Sequence, residues 1–235
     1  MDNKQDFIKF MSDAGALRFG DFTLKSGRRS PYFINTGAFD TGKKIARLGS
    51  FYAARVKDAM DAGDIPKEVA TVFGPAYKGV PIAVATATAL ASEHGIDVGY
   101  TFNRKETKDH GEGGGFVGRA LKDGDRIIMV DDVITAGTAI REATPLIRSV
   151  AAVKICGLVL AVDRMERGRG AASLSAVEEI REELGVPVYP LVTIKDILDA
   201  ASRAGAEGRP IADDDILNRM RAYLSEYCAP HPGGE

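Results

Sequence analysis

Cysteine is scarce in this chain, with two in 235 residues, Cys156 and Cys228. That excludes a disulfide framework. Neither thiol has a Cys or His at metal-ligand spacing except His231 beside Cys228, a pair in a Gly/Pro tail that reads as chance. No apolar stretch is long enough to span a bilayer. The first residues, Met1 to Asp6, lack the basic and apolar regions of a signal peptide, so a cytoplasmic protein is expected. Neither sign of charge dominates. The net charge of -2 argues against broad binding to nucleic acid or to an anionic membrane. There is no internal repeat and no clear domain linker. What is present is one large unit, residues 1–235, whose 45% hydrophobic content can build a real core.

Apolar β-branched runs alternate with helical patterns. Strands are expected at 68–73, 98–102, 126–130, 153–162 and 186–194, the last interrupted by Pro190 and so at an edge. Helices are expected at 6–15, 42–60, 80–93, from Gly137 onward, 175–184, 194–201 and 213–227, with Ser175 as a cap. The 80–93 helix is apolar nearly all round and is expected to be buried. The helix after Gly137 carries an apolar stripe at Ile140, Ala143, Ile147 and Val150. Residues 19–34 read as strand, turn and strand. The order implies an α/β fold, a parallel sheet covered on both faces by helices. Residues 229–235 are expected to be disordered.

One stretch organises the rest. Arg126 to Val130 is a buried strand, Asp131 and Asp132 follow, and Val133-Ile134-Thr135-Ala136-Gly137-Thr138-Ala139 leads into a helix. Ligands bind at the carboxyl ends of parallel strands. Free N–H groups at a helix start attract phosphate, Thr135 and Thr138 add hydroxyls, and Gly137 lets the backbone approach closely. Two adjacent acids are costly if buried unpaired, and make sense facing sugar hydroxyls, a metal ion or both. The stretch therefore suits a phosphate and a sugar side by side.

Other strand ends carry charge too. Gly74-Pro75-Ala76-Tyr77-Lys78-Gly79 follows the 68–73 strand, with Lys78 a candidate anion contact. Residues 103–118 are charged and then glycine-rich, with no helical or strand period. Arg104, Lys105, Lys108 and His110 in this segment suit a mobile cationic lid over a polyanion. Asp163-Arg164-Met165-Glu166-Arg167-Gly168 ends the 153–162 strand, and Lys25, Arg28 and Arg29 cluster in the N-terminal turn.

The 131–139 stretch resembles the phosphoribosyl pyrophosphate (PRPP) signature of type I phosphoribosyltransferases. The 22–33 hairpin with Lys25, the 74–79 turn, the 102–113 loop and the Arg164 cluster narrow the resemblance to the orotate-using branch, over nearly the whole chain to about residue 225. The resemblance implies a five-stranded parallel core under a small hood, made from roughly residues 1–40 and C-terminal elements. It implies Mg²⁺-dependent transfer of ribose 5-phosphate from PRPP to N1 of orotate, in pyrimidine synthesis. It also implies a homodimer in which loop 103–118 reaches the partner's site. Residue by residue, Asp131 and Asp132 resemble the ribose-binding acids, and Val133 to Ala139 the phosphate cradle, with Thr135 also near orotate. Tyr77, Lys78, Arg104, Lys105, Lys108 and His110 resemble the pyrophosphate contacts. Lys25 resembles the lysine between the two substrates, and Phe33, Ile34 and Arg164 the orotate contacts. Lys105, Lys108, Lys25 and Asp132 stand as the catalytic set. No covalent nucleophile is evident, and Mg²⁺ is expected to be held mainly through PRPP and water.

Two departures stand out. Ile34 occupies a position often aromatic, and the loop has an extra glycine and Phe116 after Glu112. Two other readings are open to the PRPP signature. One is transfer to another base, such as a purine, against which Arg164 favours an acidic pyrimidine. The other is a PRPP sensor without catalysis, expected to lack the cationic lid and to carry a nucleic-acid-binding segment. No basic extension or helix-turn-helix pattern stands out here.

Overall fold

The computed structural model describes residues 3–24, 27–105, 115–168, 174–203 and 212–229. The chain opens with α1 (Asn3–Asp13), whose Phe7, Ile8 and Met11 are buried. A hairpin follows, β1 (Leu17–Thr23) and β2 (Arg29–Ile34), paired antiparallel as a separate two-stranded sheet. A short 3₁₀ turn, Thr36–Ala38, leads to α2 (Gly42–Asp61). Then come β3 (Thr71–Phe73), α3 (Gly79–His94), β4 (Gly99–Asn103), β5 (Phe116–Gly118), β6 (Arg126–Val133) and α4 (Thr138–Val150). The last elements are β7 (Lys154–Asp163), α5 (Ala176–Leu184), β8 (Val188–Thr193), α6 (Ile194–Ser202) and α7 (Asp214–Tyr227). From β3 onward strands and helices alternate, which is an α/β arrangement.

The main sheet has the order β5-β4-β3-β6-β7-β8. Five strands, β4-β3-β6-β7-β8, run parallel, and β5 pairs antiparallel with β4 at one edge. β6 reads as an unbroken apolar run because both faces are covered. Ile127 and Met129 face a core with Ile140, Ala143 and Ile147 of α4 and Ile180 of α5. Ile128 and Val130 face the other core, with Leu48, Tyr52 and Val56 of α2 and Ile82 and Leu90 of α3. β8 lies at the opposite edge, which lets it accept Pro190.

Three expectations need correction. Residues 116–118 are a strand, not part of a structureless segment. The run is too short, and too close to glycines, to show a period. Val150 is 52% exposed, since it is the last residue of α4 and lies past the sheet-facing stripe. α3 is not buried all round: Pro81, Val84 and Thr88 form an exposed stripe, although its composition gives it almost no polar face. The tail beyond Ala229 lies outside the described residues. Among the described residues no helix is long and apolar enough to cross a membrane.

The parallel strand order reverses between β3 and β6, because β4 lies on one side of β3 and the later strands on the other. A crevice opens at such a switch point, outside the carboxyl ends of the strands. Tyr52 of α2 fastens the β6 side of it. Its buried phenol donates to the Asp131 carbonyl at 2.7 Å. Tyr52→Phe leaves that buried acceptor without its phenolic donor, so a loss of about 1–3 kcal/mol is expected. A thermal melt of the variant that superimposes on the parent curve would sink this assignment.

Candidate active site

Two strand-to-helix connections face each other across the crevice. Pro75, Ala76, Tyr77 and Lys78 come from the turn after β3, and Asp131 to Ala139 from the end of β6 and the start of α4. Together they line a cavity of about 480 Å³. The 74–79 turn is tight: a Cβ on Gly74 would collide with the Gly79 carbonyl, so that close approach requires glycine. The Ala76–Tyr77 peptide is cis. The Ala76 N–H donates to the Asn103 side chain at 3.0 Å, which ties the turn to the end of β4.

The acids lie at the base of the cavity and are buried. Asp132 accepts from the Lys78 ammonium and from the Thr36 hydroxyl, each at 2.6 Å. Asp131 accepts from the Asp132 N–H at 2.9 Å. Burial, and then the charge of Asp132, push the Asp131 carboxyl up to about 7. Near neutral pH the Asp131 carboxyl therefore still exchanges its proton, directly beside the Lys78–Asp132 ion pair.

Above the acids, Thr135 and Thr138 are exposed, whereas the Ile134 side chain is buried in the α4–α5 core and presents only backbone. Gly137 is left-handed, with φ 65°. It caps α4 without a side-chain hydrogen bond, and Lys78 likewise gives α3 no side-chain cap. The contrast with the other helices is informative. α2, α5, α6 and α7 are capped by Thr41, Ser175, Thr193 and Asp213. The helices α3 and α4 open onto the cavity, and no cap side chain covers their first N–H groups.

Arg104 and Lys105 line a neighbouring cavity of about 390 Å³ that shares Ala76 and Tyr77 with the first. The Lys105 ammonium lies 5.1 Å from the centre of the Tyr77 ring. Lys25, Lys108 and His110 lie outside the described residues. Phe33 stacks on Phe22 at 5.4 Å, and Ile34 packs against the core. Neither borders the two cavities, but their strand runs directly into Thr36, which does reach Asp132.

Arg164 is also away from both cavities, in a knot around Glu166. Its Nη2 donates to Glu166 Oε1, and its guanidinium lies 5.7 Å from the centre of the Tyr32 ring. Tyr223 donates to the same oxygen at 2.8 Å, and Arg28 lies 3.6 Å from Oε2. Burial pushes the Tyr32 phenol up and the Tyr223 phenol up to about 12, so both stay neutral. Two guanidinium groups thus share one carboxylate, and the buried Arg164 Nε has no partner. Sequence reading missed Thr36, Asn103 and the Glu166 knot. Thr36 follows an Asn that caps the 3₁₀ turn, which signals a turn but not its destination.

The chain matches the model of the phosphoribosyl transferase domain over residues 36–175. It is 52% identical over 224 residues to an orotate phosphoribosyltransferase of Bifidobacterium adolescentis, covering 95% of this chain and 96% of the relative. Identity to the Clostridium beijerinckii enzyme of that name is 43% over 226 residues, covering 96% and 98%. A crystal structure of orotate phosphoribosyltransferase from Francisella tularensis is similar, with a TM-score of 0.78 and 34% identity, covering 95% of this chain and all of the other. On this similarity along almost its full length, the chain belongs to the orotate phosphoribosyltransferase family.

Proposed function

We propose that the chain transfers the ribose 5-phosphate of PRPP to N1 of orotate, giving orotidine 5′-phosphate and pyrophosphate for cytoplasmic pyrimidine synthesis. One observation carries the reading. A buried acid pair lies under two helix starts that lack side-chain caps, around one cavity at the sheet's switch point. Uncapped helix starts suit phosphate groups, and buried acids suit ribose hydroxyls. Val133 to Ala139 hold the 5-phosphate, and Asp131 and Asp132 the ribose. Tyr77, Lys78, Arg104 and Lys105 take the pyrophosphate, joined by Lys108 and His110.

On the base side, Phe33, Ile34 and Thr135 contact orotate and Arg164 meets its carboxylate, while Lys25 lies between the substrates. At the Glu166 knot two guanidinium groups, Arg28 and Arg164, meet one carboxylate, an arrangement that suits an acidic base. The active unit is a homodimer, with loop 103–118 of each subunit reaching the partner's site.

Breaking the glycosidic bond builds positive charge on the ribose and negative charge on the departing pyrophosphate. The residues' task is to align the reactants and neutralise the leaving group. Among the described residues no group of three or more His, Cys, Asp or Glu side chains could hold a metal ion. Mg²⁺ would be held mainly through PRPP and water, and Asp131 and Asp132 are the carboxylates that line this cavity. When bound it supplies charge neutralisation on the phosphate oxygens. Lys78 is already on Asp132, and the ammonium donors left free by that contact can reach pyrophosphate. Loop closure keeps out water that would hydrolyse PRPP.

The reaction is tested by following orotate absorbance with PRPP, with and without Mg²⁺ or EDTA, and with adenine, hypoxanthine and uracil as competing bases. Orotate loss that needs both PRPP and metal is expected; turnover of a different base alone would discard the acceptor. Lys105→Ala should lower kcat by about 10²–10³, the size of one lost charge contact in a dry site. Its melting temperature should stay near the parent's, and an early melt with normal turnover would refute the role. Because Asp131 keeps its proton up to about 7, it becomes a full acceptor for ribose only above that pH. The kcat/KM for PRPP should therefore fall as pH drops through that value, and Asp131→Asn should flatten that limb. An identical acid limb in the variant would assign the titration to another group.

A further inference from the structure

Beneath the proposed phosphate loop lies a contact that the substrate roles above do not use. Arg141, in the first turns of α4, folds its side chain back under the loop. Its Nη1 donates to the Ala136 carbonyl. Its other two nitrogens grip α5: Nε donates to Glu183 Oε2 and Nη2 to Glu183 Oε1, each at 2.7 Å. Glu179 adds a longer contact to Nη2 at 3.5 Å. The planar guanidinium thus joins one loop carbonyl to a bidentate carboxylate anchor, a geometry that a lysine cannot reproduce.

The Ala136–Gly137 peptide is trans, and a trans peptide carries its C=O and N–H on opposite sides. Holding the Ala136 carbonyl toward α5 therefore turns the Gly137 N–H away from α5, the direction an anion in the loop requires. It also keeps a carbonyl dipole from facing that anion. Ile180 of α5 supports the same peptide from below. A Cβ on Gly137 would collide with its side chain, so loop and helix are in direct contact. We infer that Arg141, anchored by Glu183, is a positioning residue that sets the peptide orientation of the phosphate loop. The inference deepens the reading of this cavity as the PRPP site and rests on it.

The test uses the full chain and two variants. Arg141→Ala removes the clamp. Glu183→Ala loosens its anchor at a half-exposed position and spares the fold. Binding of ribose 5-phosphate is measured by calorimetry, and KM and kcat for PRPP and orotate by turnover. Arg141→Ala should weaken ribose 5-phosphate and raise the PRPP KM roughly tenfold, the effect of losing one charge-assisted hydrogen bond. Its kcat and its orotate KM should stay within about threefold, and Glu183→Ala should shift the same two quantities in the same direction by less. A purely structural role would lower stability and the active fraction, so kcat would fall while the ribose 5-phosphate affinity stayed constant. That result, or unchanged affinity in both variants, overturns the inference. A parent chain that binds ribose 5-phosphate but leaves orotate unreacted overturns the assigned reaction instead. Weaker binding by Arg141→Ala would still support the clamp in that case.

Discussion

A carboxylate taken out of water must be answered by a charge or by hydrogen bonds, and Asp132 is answered from two distant parts of the chain. Thr36 arrives from the end of the hairpin and Lys78 from the turn after β3. Pairing of β3 with β6 already brings the β3 turn beside the tip of β6, and the turn after the hairpin joins it there through Thr36. Asp132 thus ties the N-terminal hairpin, the β3 turn and the central strand to one point. Burial, and then the charge of Asp132 beside it, make Asp131, one residue back, hold its proton far more tightly than a free carboxyl does.

α5 connects the two halves of the candidate site. Its Ile180 supports Gly137 on the phosphate side. Its Glu179 lies against Gly168, just beyond the knot in which Arg164, Arg28 and two tyrosines surround Glu166. Ser175 and Glu178 form a reciprocal capping box at its start. The helix is short, but the capping box and the Ala176 N–H bonded to the Glu166 carbonyl fix its start, which suits a spacer between two loops.

The parts of the site that could be read from sequence are those that are local. Strand, acid pair, Thr/Gly turn and helix lie within one run from Arg126 to Ile140. Tyr77 and Lys78 follow a strand directly, so the carboxyl-end rule finds them. The hidden parts depend on distance along the chain. Thr36 and Asp132 are 96 residues apart, and Arg141 and Glu183 are 42 apart. No periodicity links such pairs. Arg164 was legible as a charge beyond a strand but not as half of an ion pair, because Glu166 beside it gives no sign of which way it turns. The exposed stripe of α3 escaped because Pro81 and Val84 are apolar and Thr88 suits either surface. The overall architecture was easier to read, since alternation of strand and helix leaves few ways to cover a parallel sheet.

The short strand β5 has a bearing on how this protein can change. Its pairing with β4, extended by the Arg104 N–H to the Gly115 carbonyl at 2.6 Å, brings the two ends of the 105–114 segment together at a closed neck. Adding or removing residues beyond that neck costs little in closure entropy, because the ends are already joined. The strand register is set below it. Segment length is thereby insulated from the sheet, so a lineage can change it without rebuilding the core.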